Sequence, residues 1–134
     1  MIGHGLFSIR VEGRMVIGAV SGSHNEFDTA AVTDELRKAV ESLNGSPYVE
    51  LIDARELEGV TPEGFAVIDK YNRWESENGL IAIAFVARNT VLPMIVKHYL
   101  EMTQASNMKA FSDIEEARQW LLDELNGSDS LREE

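Results

Sequence analysis

The side chains in this sequence that chemistry would use are few, and most lie beside carboxylates. His24-Asn25-Glu26 with Asp28 offers an imidazole and two carboxylates, the donor types of a divalent metal site. These residues stand too close in sequence to converge on one ion, and neither His4 nor His98 is placed to join them. Turn and capping roles are expected there instead. Ser21-Gly22-Ser23-His24 sets serine near histidine, but it lacks an orienting acid and the Gly-x-Ser-x-Gly elbow of acyl transfer. Asp53, Glu56 and Glu58 form a carboxylate group of the kind used in acid–base work. Arg55 interleaves them, and a polar loop after a strand explains them more simply. No Gly-x-Gly-x-x-Gly and no phosphate-loop lysine occurs. With no cysteine, thiol catalysis, disulfides and cysteine metal sites are excluded. No acid, base and nucleophile converge, so neither an enzyme nor a cofactor nor a metal is expected.

These residues need a scaffold, and the 134-residue chain is long enough for one domain. Apolar residues make up 44% and charged residues 26%, which are globular proportions. The net charge of −11 repels phosphate backbones and argues against a nucleic-acid or anionic-membrane partner. Of that charge, −6 lies between Ser112 and Glu134, where eight acids face Arg118 and Arg132. A domain over 1–126 and a flexible acidic tail over 127–134 are expected. Met1-Ile2-Gly3-His4-Gly5 lacks the basic and apolar regions of a secretory signal. The longest apolar stretch, Leu80 to Ala87, is too short to span a bilayer. A cytoplasmic location is the expectation.

Three Asn-Gly pairs, at Asn44, Asn78 and Asn126, each follow a helical pattern and read as helix stops. Before the first, Val32, Leu36, Ala39, Val40 and Leu43 recur at helical spacing, with Asp28 or Thr29 as the N-cap. Before the second, Thr61-Pro62-Glu63 supplies a capping hydroxyl, a first-turn proline and an acid at the positive dipole end. Phe65, Ile68, Tyr71 and Trp74 continue that helix. Before the third, Ser112-Asp113-Ile114-Glu115 matches a capping box, and Ile114, Ala117, Leu121 and Leu125 form the stripe. Another helix is expected from Val91 to Thr103. The apolar runs Tyr48 to Ile52 and Leu80 to Val86 read as strands buried on both faces, and Met108 to Phe111 as a shorter one. Leu6 to Val11 and Arg14 to Val20 flank Glu12-Gly13 as a hairpin. The order β-β-α-β-α-β-α-β-α predicts one α/β domain with a mixed sheet of about five strands and about four helices.

This order, opening on a hairpin, resembles the STAS domain of anti-sigma-factor antagonists. Gly22 with Phe27-Asp28-Thr29-Ala30 resembles that family's strand-to-helix turn. Val49-Glu50-Leu51-Ile52-Asp53 resembles its central strand ending in Asp, and Gly64-Phe65 its Gly-Leu at the second helix. Phe111 to Leu121 is similar to the close of the SpoIIAA-like branch. The likeness runs from about Leu6 to Leu125. It implies a non-enzymatic regulatory module with a protein partner, acting through a switch region at Asp53, Thr61, Glu63 and Gly64. The family's antagonists carry Asp-Ser-Ser-Gly there, with the serine beside glycine phosphorylated by a partner kinase. Here the stretch is Thr61-Pro62-Glu63-Gly64, so the phosphorylated position holds Glu63. One reading makes Glu63 a fixed negative charge, weaker than phosphate. The other, which accounts for the whole tripeptide, makes it a first-turn acid in a capped helix. Thr61 itself is a further hydroxyl that a kinase could label.

The other prominent feature is Val91-Leu92-Pro93-Met94-Ile95-Val96, whose apolar side chains cover most of a helix circumference. Core burial comes first among the explanations, then a subunit interface in a homodimer, then a ligand pocket shared with Tyr71 and Trp74. A pocket there would suit a small apolar or lipid-like ligand, to which the SpoIIAA-like branch lends itself because its fold resembles lipid-carrier domains.

Overall fold

The computed structural model describes residues 5–102 and 107–133. His4 and the expected helix end at Thr103 lie outside them. The chain forms β1 (Leu6–Glu12), β2 (Met15–His24), α1 (Glu26–Glu41), β3 (Tyr48–Val60), α2 (Pro62–Ser76), β4 (Leu80–Ala87), α3 (Leu92–Met102), β5 (Met108–Phe111) and α4 (Ile114–Glu133). This is the expected single α/β domain with its leading hairpin. Gly13, at φ 58°, makes the turn between β1 and β2, a conformation that glycine adopts without strain.

Sheet order follows chain order, β1-β2-β3-β4-β5, with β1 antiparallel to β2 and the remaining pairs parallel. Each parallel step moves to the next strand in the same direction. Right-handed crossovers then place α1, α2 and α3 on one face and leave the other to the C-terminal helix. The alternation of β3 serves both faces. Tyr48, Glu50 and Ile52 turn toward the three-helix layer, where Val32, Leu36, Tyr71, Val91 and Ile95 complete one core. Val49 and Leu51 turn the other way and meet Ala117 and Leu121 of α4, with Ala82, Ala84 and Val86 of β4. Val91 and Ile95 are thus core residues, with Leu92 and Met94 half-buried against the same cluster.

Several boundaries differ from expectation for identifiable reasons. Asn25, ahead of both Asp28 and Thr29, caps α1. Its side chain accepts from the backbone N–H of Phe27 (3.0 Å) and Asp28 (2.9 Å), while Asp28 returns a bond to the Asn25 N–H (3.1 Å). Asp113, not Ser112, caps α4 by accepting from the N–H of Glu115 and Glu116. The first two Asn-Gly pairs close their helices, with Asn44, Gly45 and Gly79 at positive φ. The third does not stop α4, which continues through Asn126-Gly127 to Glu133. A tertiary contact holds that extension, since Arg14 pairs with Asp129 and also donates to the Pro47 carbonyl. β2 and β3 run past the expected ends at Val20 and Ile52, because Ser21 to His24 pair with Glu56 to Val60 across two bulges. Asp53 therefore lies inside a strand, and the segment Gly59–Gly64 is strand end, cap and first helical turn, with Thr61 alone between β3 and α2.

Candidate functional site

β2 and β3 end together at the edge of the sheet where α1 and α2 begin. Ligand sites of open parallel sheets sit at such carboxyl ends. The Thr61 N–H donates to the His24 carbonyl at 3.0 Å, which sets the two helix starts side by side. The Thr61 hydroxyl accepts from the Gly64 N–H at 3.1 Å and caps α2, with Pro62 at its first position as expected. Glu63 is exposed in that first turn, and Phe27, 75% exposed, stands in the first turn of α1. Phe27 shares this exposure with other apolar side chains of the described residues, Leu6 and Leu131 among them, and is the one that stands at these paired helix starts.

Gly64 is fixed by space. A Cβ at this position would lie 2.8 Å from Val60 Cγ1 and 2.9 Å from Thr29 Oγ1. Thr29 Oγ1 in turn donates to the Asn25 carbonyl at 2.7 Å, so it cannot swing away without loosening the α1 cap. Gly64→Ala is expected to cost about 1–3 kcal/mol through overpacking. Urea unfolding checks the cost, and amide shifts confined to residues near 25–29 and 60–66 check its location. Asp53 does not join this edge. It faces Arg55, whose Nε and Nη2 donate at 2.9 and 2.8 Å, and this bonding lowers the Asp53 carboxyl below its usual range. Of the four expected switch residues, the structure gathers Thr61, Glu63 and Gly64 and separates Asp53.

Behind α2 lies a cluster that sequence reasoning passed over. Glu50 sits mid-strand in β3, in register between Val16 of β2 and Ile83 of β4, and it is buried. Glu75, in the last turns of α2, is also fully buried. Tyr71 of α2 donates to Glu50 Oε1 at 2.8 Å, and Tyr48 of β3 donates to Glu75 Oε2 at 2.7 Å, so each bond crosses from helix to sheet. Burial pushes the Glu50 carboxyl up to about 7, and the neighbouring Glu75 carboxyl and Tyr71 hydroxyl pull it partly back. Burial and then the charge of Glu50 hold Glu75 well above the ordinary carboxylate range. Burial also raises both phenols, which remain neutral donors. Trp74 stacks on Tyr71 with centroids 6.0 Å apart and carries the Arg37 guanidinium 4.7 Å from its own ring centre.

Beside this cluster a cavity of about 90 Å³ lies between α1, α2 and the sheet, walled by residues including Leu36, Phe65, Ile68, Tyr71 and Ile95. Of the six expected interface or ligand residues, Tyr71 and Ile95 reach the cavity. Trp74, Val91, Leu92 and Met94 are not among its walls. His24 and His98 serve structure here. The His24 ring meets the Ser21 carbonyl at 3.0 Å, and His98 meets Asp69 at 2.9 Å while stacking on Phe65. Among the described residues no group of three or more His, Asp or Glu side chains is arranged to hold a metal ion, and no helix is long and apolar enough to cross a membrane.

Two solved structures share this architecture. An uncharacterized DUF3478-family protein with a SpoIIAA-like fold from Shewanella loihica PV-4 superposes with TM-score 0.66 and 18% identity, over 90% of this chain and 96% of that one. An anti-sigma factor antagonist from Mycobacterium paratuberculosis superposes with TM-score 0.57 and 16% identity, over 87% and 93%. The fold is SpoIIAA-like, as the sequence resemblance implied. No curated protein matches the chain in sequence. The model of a domain of unknown function, DUF7793, matches residues 11–124, and the chain belongs to that family.

Proposed function

We propose that the chain is a non-enzymatic, cytoplasmic regulatory module that binds a protein partner at the paired starts of α1 and α2. The observation that carries this reading is Phe27, an open aromatic ring in the first turn of α1, at the same sheet edge as the exposed carboxylate of Glu63 in the first turn of α2. An apolar anchor rimmed by charge is the usual make-up of an interface hot spot. The fold shared with an anti-sigma factor antagonist supports an anti-sigma factor as the class of partner. Glu63 then acts as a standing single charge where the resemblance places a phosphorylated serine, and Thr61 is the remaining hydroxyl for a kinase. The test is pairwise binding to anti-sigma factors from the source genome, with Phe27→Asp and Glu63→Lys as probes. A binder whose affinity falls tenfold or more with either change supports the proposal, a loss of at least about 1.4 kcal/mol. Equal binding by wild type and both variants, or no binder, overturns it. Incubation of each binder with ATP, followed by mapping of labelled residues, tests Thr61.

The apolar cavity favours a second reading, a carrier of a small apolar ligand. At about 90 Å³ it is smaller than the roughly 150 Å³ that holds one benzene ring, so a lipid chain would enter only if α1 and α2 parted. Native mass spectrometry separates the two readings. A retained small-molecule mass favours the carrier, and a ligand-free homodimer favours the module.

A further inference from the structure

The Glu50–Glu75 pair poses a question of hydrogen-bond supply. Two carboxylates are acceptors only, and the donors that reach them are the Tyr48 and Tyr71 hydroxyls, one for each acid. Glu75 Oε1 is buried and meets no donor among the described residues. None of the charged and titratable groups of the surrounding elements forms a salt bridge with either acid among the described residues. Arg37 of α1 lies over Trp74 with its Nε buried and without a hydrogen-bond partner among the described residues, His24 of β2 bonds the Ser21 carbonyl, and Asp69 of α2 pairs with His98 of α3. On β4, the register neighbour of Glu50 is Ile83. Two full negative charges in this apolar layer would repel each other with no cation to offset them.

We infer that Glu50 and Glu75 form a proton-binding site in which one shared proton bridges the two carboxyls and fastens α2 to β3, and that removing this proton loosens α2 from the sheet. The proton supplies the missing donor. On Glu75 it turns Oε1 from an orphaned acceptor into a donor toward Glu50, and it leaves one negative charge that the tyrosines solvate. The raised affinity of both acids for protons agrees with this arrangement. Glu75 and Tyr71 sit one helical turn apart, so a single face of α2 carries both links to the sheet.

The sign of the pH effect follows. A glutamate in the unfolded chain ionises near 4.3, roughly, whereas the folded pair holds its protons toward neutral pH or beyond. Between about pH 5 and 7 the native state binds more protons, so stability falls as pH rises, and the contribution is fully present only below the unfolded value. The experiment is urea unfolding of the whole chain at pH 5, 6, 7 and 8, for wild type and Glu75→Gln. The amide keeps a donor toward Glu50 and an acceptor for Tyr48 but cannot titrate. The wild-type folding constant is expected to fall about tenfold per pH unit for each extra proton held, and Glu75→Gln to fall less steeply by about one proton. Comparing the two removes the contribution of the other acids. Identical slopes, or a wild-type constant that does not fall, overturn the inference. If Glu75→Gln does not fold, the infrared band of a protonated carboxyl in folded wild type at pH 6 decides. Its presence there, with loss on raising the pH, supports the shared proton, and its absence rules it out.

Discussion

Tyr71→Ala is expected to remove about 3–5 kcal/mol of stability, the usual cost of deleting a buried ring. Tyr71 is 3% exposed, walls the cavity beneath α1 and α2, and stacks on Trp74. A total stability of about 5–15 kcal/mol is normal for a domain of this size, so the variant should sit near the edge of folding. Tyr71→Phe separates the ring from the hydroxyl. It keeps the packing and removes the donor to Glu50 Oε1, at an expected cost of about 1–3 kcal/mol. That smaller loss should grow with pH, because an ionised Glu50 needs the donor more than a protonated one does. Urea midpoints at pH 5 and 8 measure both effects, with unchanged m-values showing that the denatured state is not the cause.

On the opposite face, Leu121→Ala should cost about 2–5 kcal/mol. Leu121 has no exposed surface and seats α4 on Val49, Leu51 and the small residues Ala82 and Ala84. The neighbouring Leu122, 38% exposed, serves as the internal control. Its replacement by alanine is expected to change stability by no more than about 0.5 kcal/mol. A similar loss at both positions would mean that α4 does not pack on the sheet through the face described.

The fold was legible because its punctuation is local. Thr61-Pro62 caps α2 through a hydroxyl and a fixed φ, both properties of the residues themselves. Asn44-Gly45 and Gly79 end their helices for an equally local reason, the left-handed conformation. Asn126-Gly127 has the same signal but lies within α4, whose extension is held by Arg14 from the far end of the sequence. Asn25, Asp28 and Thr29 are all capping types, so only the register of α1 decides among them. Of the candidate site, the start of α2 could be read, but the buried acids were missed. A clue was present: Glu50 stands alone in Tyr-Val-Glu-Leu-Ile, a run read as buried on both faces, and an acid in such a strand needs partners. No sequence spacing reveals that Tyr71 and Glu75 will land on Tyr48 and Glu50. That depends on where α2 settles across the sheet.

Because sheet order equals chain order, the protein can assemble in the direction of its synthesis. Each strand docks on the one before it, and each crossover helix closes before the next strand arrives. Only the opening hairpin closes a short loop, while each parallel pairing must wait for a whole crossover helix, a slower kind of contact to form. The exception to this strand-by-strand order is α4, which arrives last yet covers the backs of β3 and β4 and reaches the opening hairpin through Arg118 to Glu12 and Asp129 to Arg14. Until it emerges, Val49, Leu51, Ala82 and Ala84 form a bare apolar stripe on the nascent chain. A ribosome stalled before Ile114 would therefore present a sticky, half-covered sheet to chaperones, and the emergence of α4 would be the step that seals it.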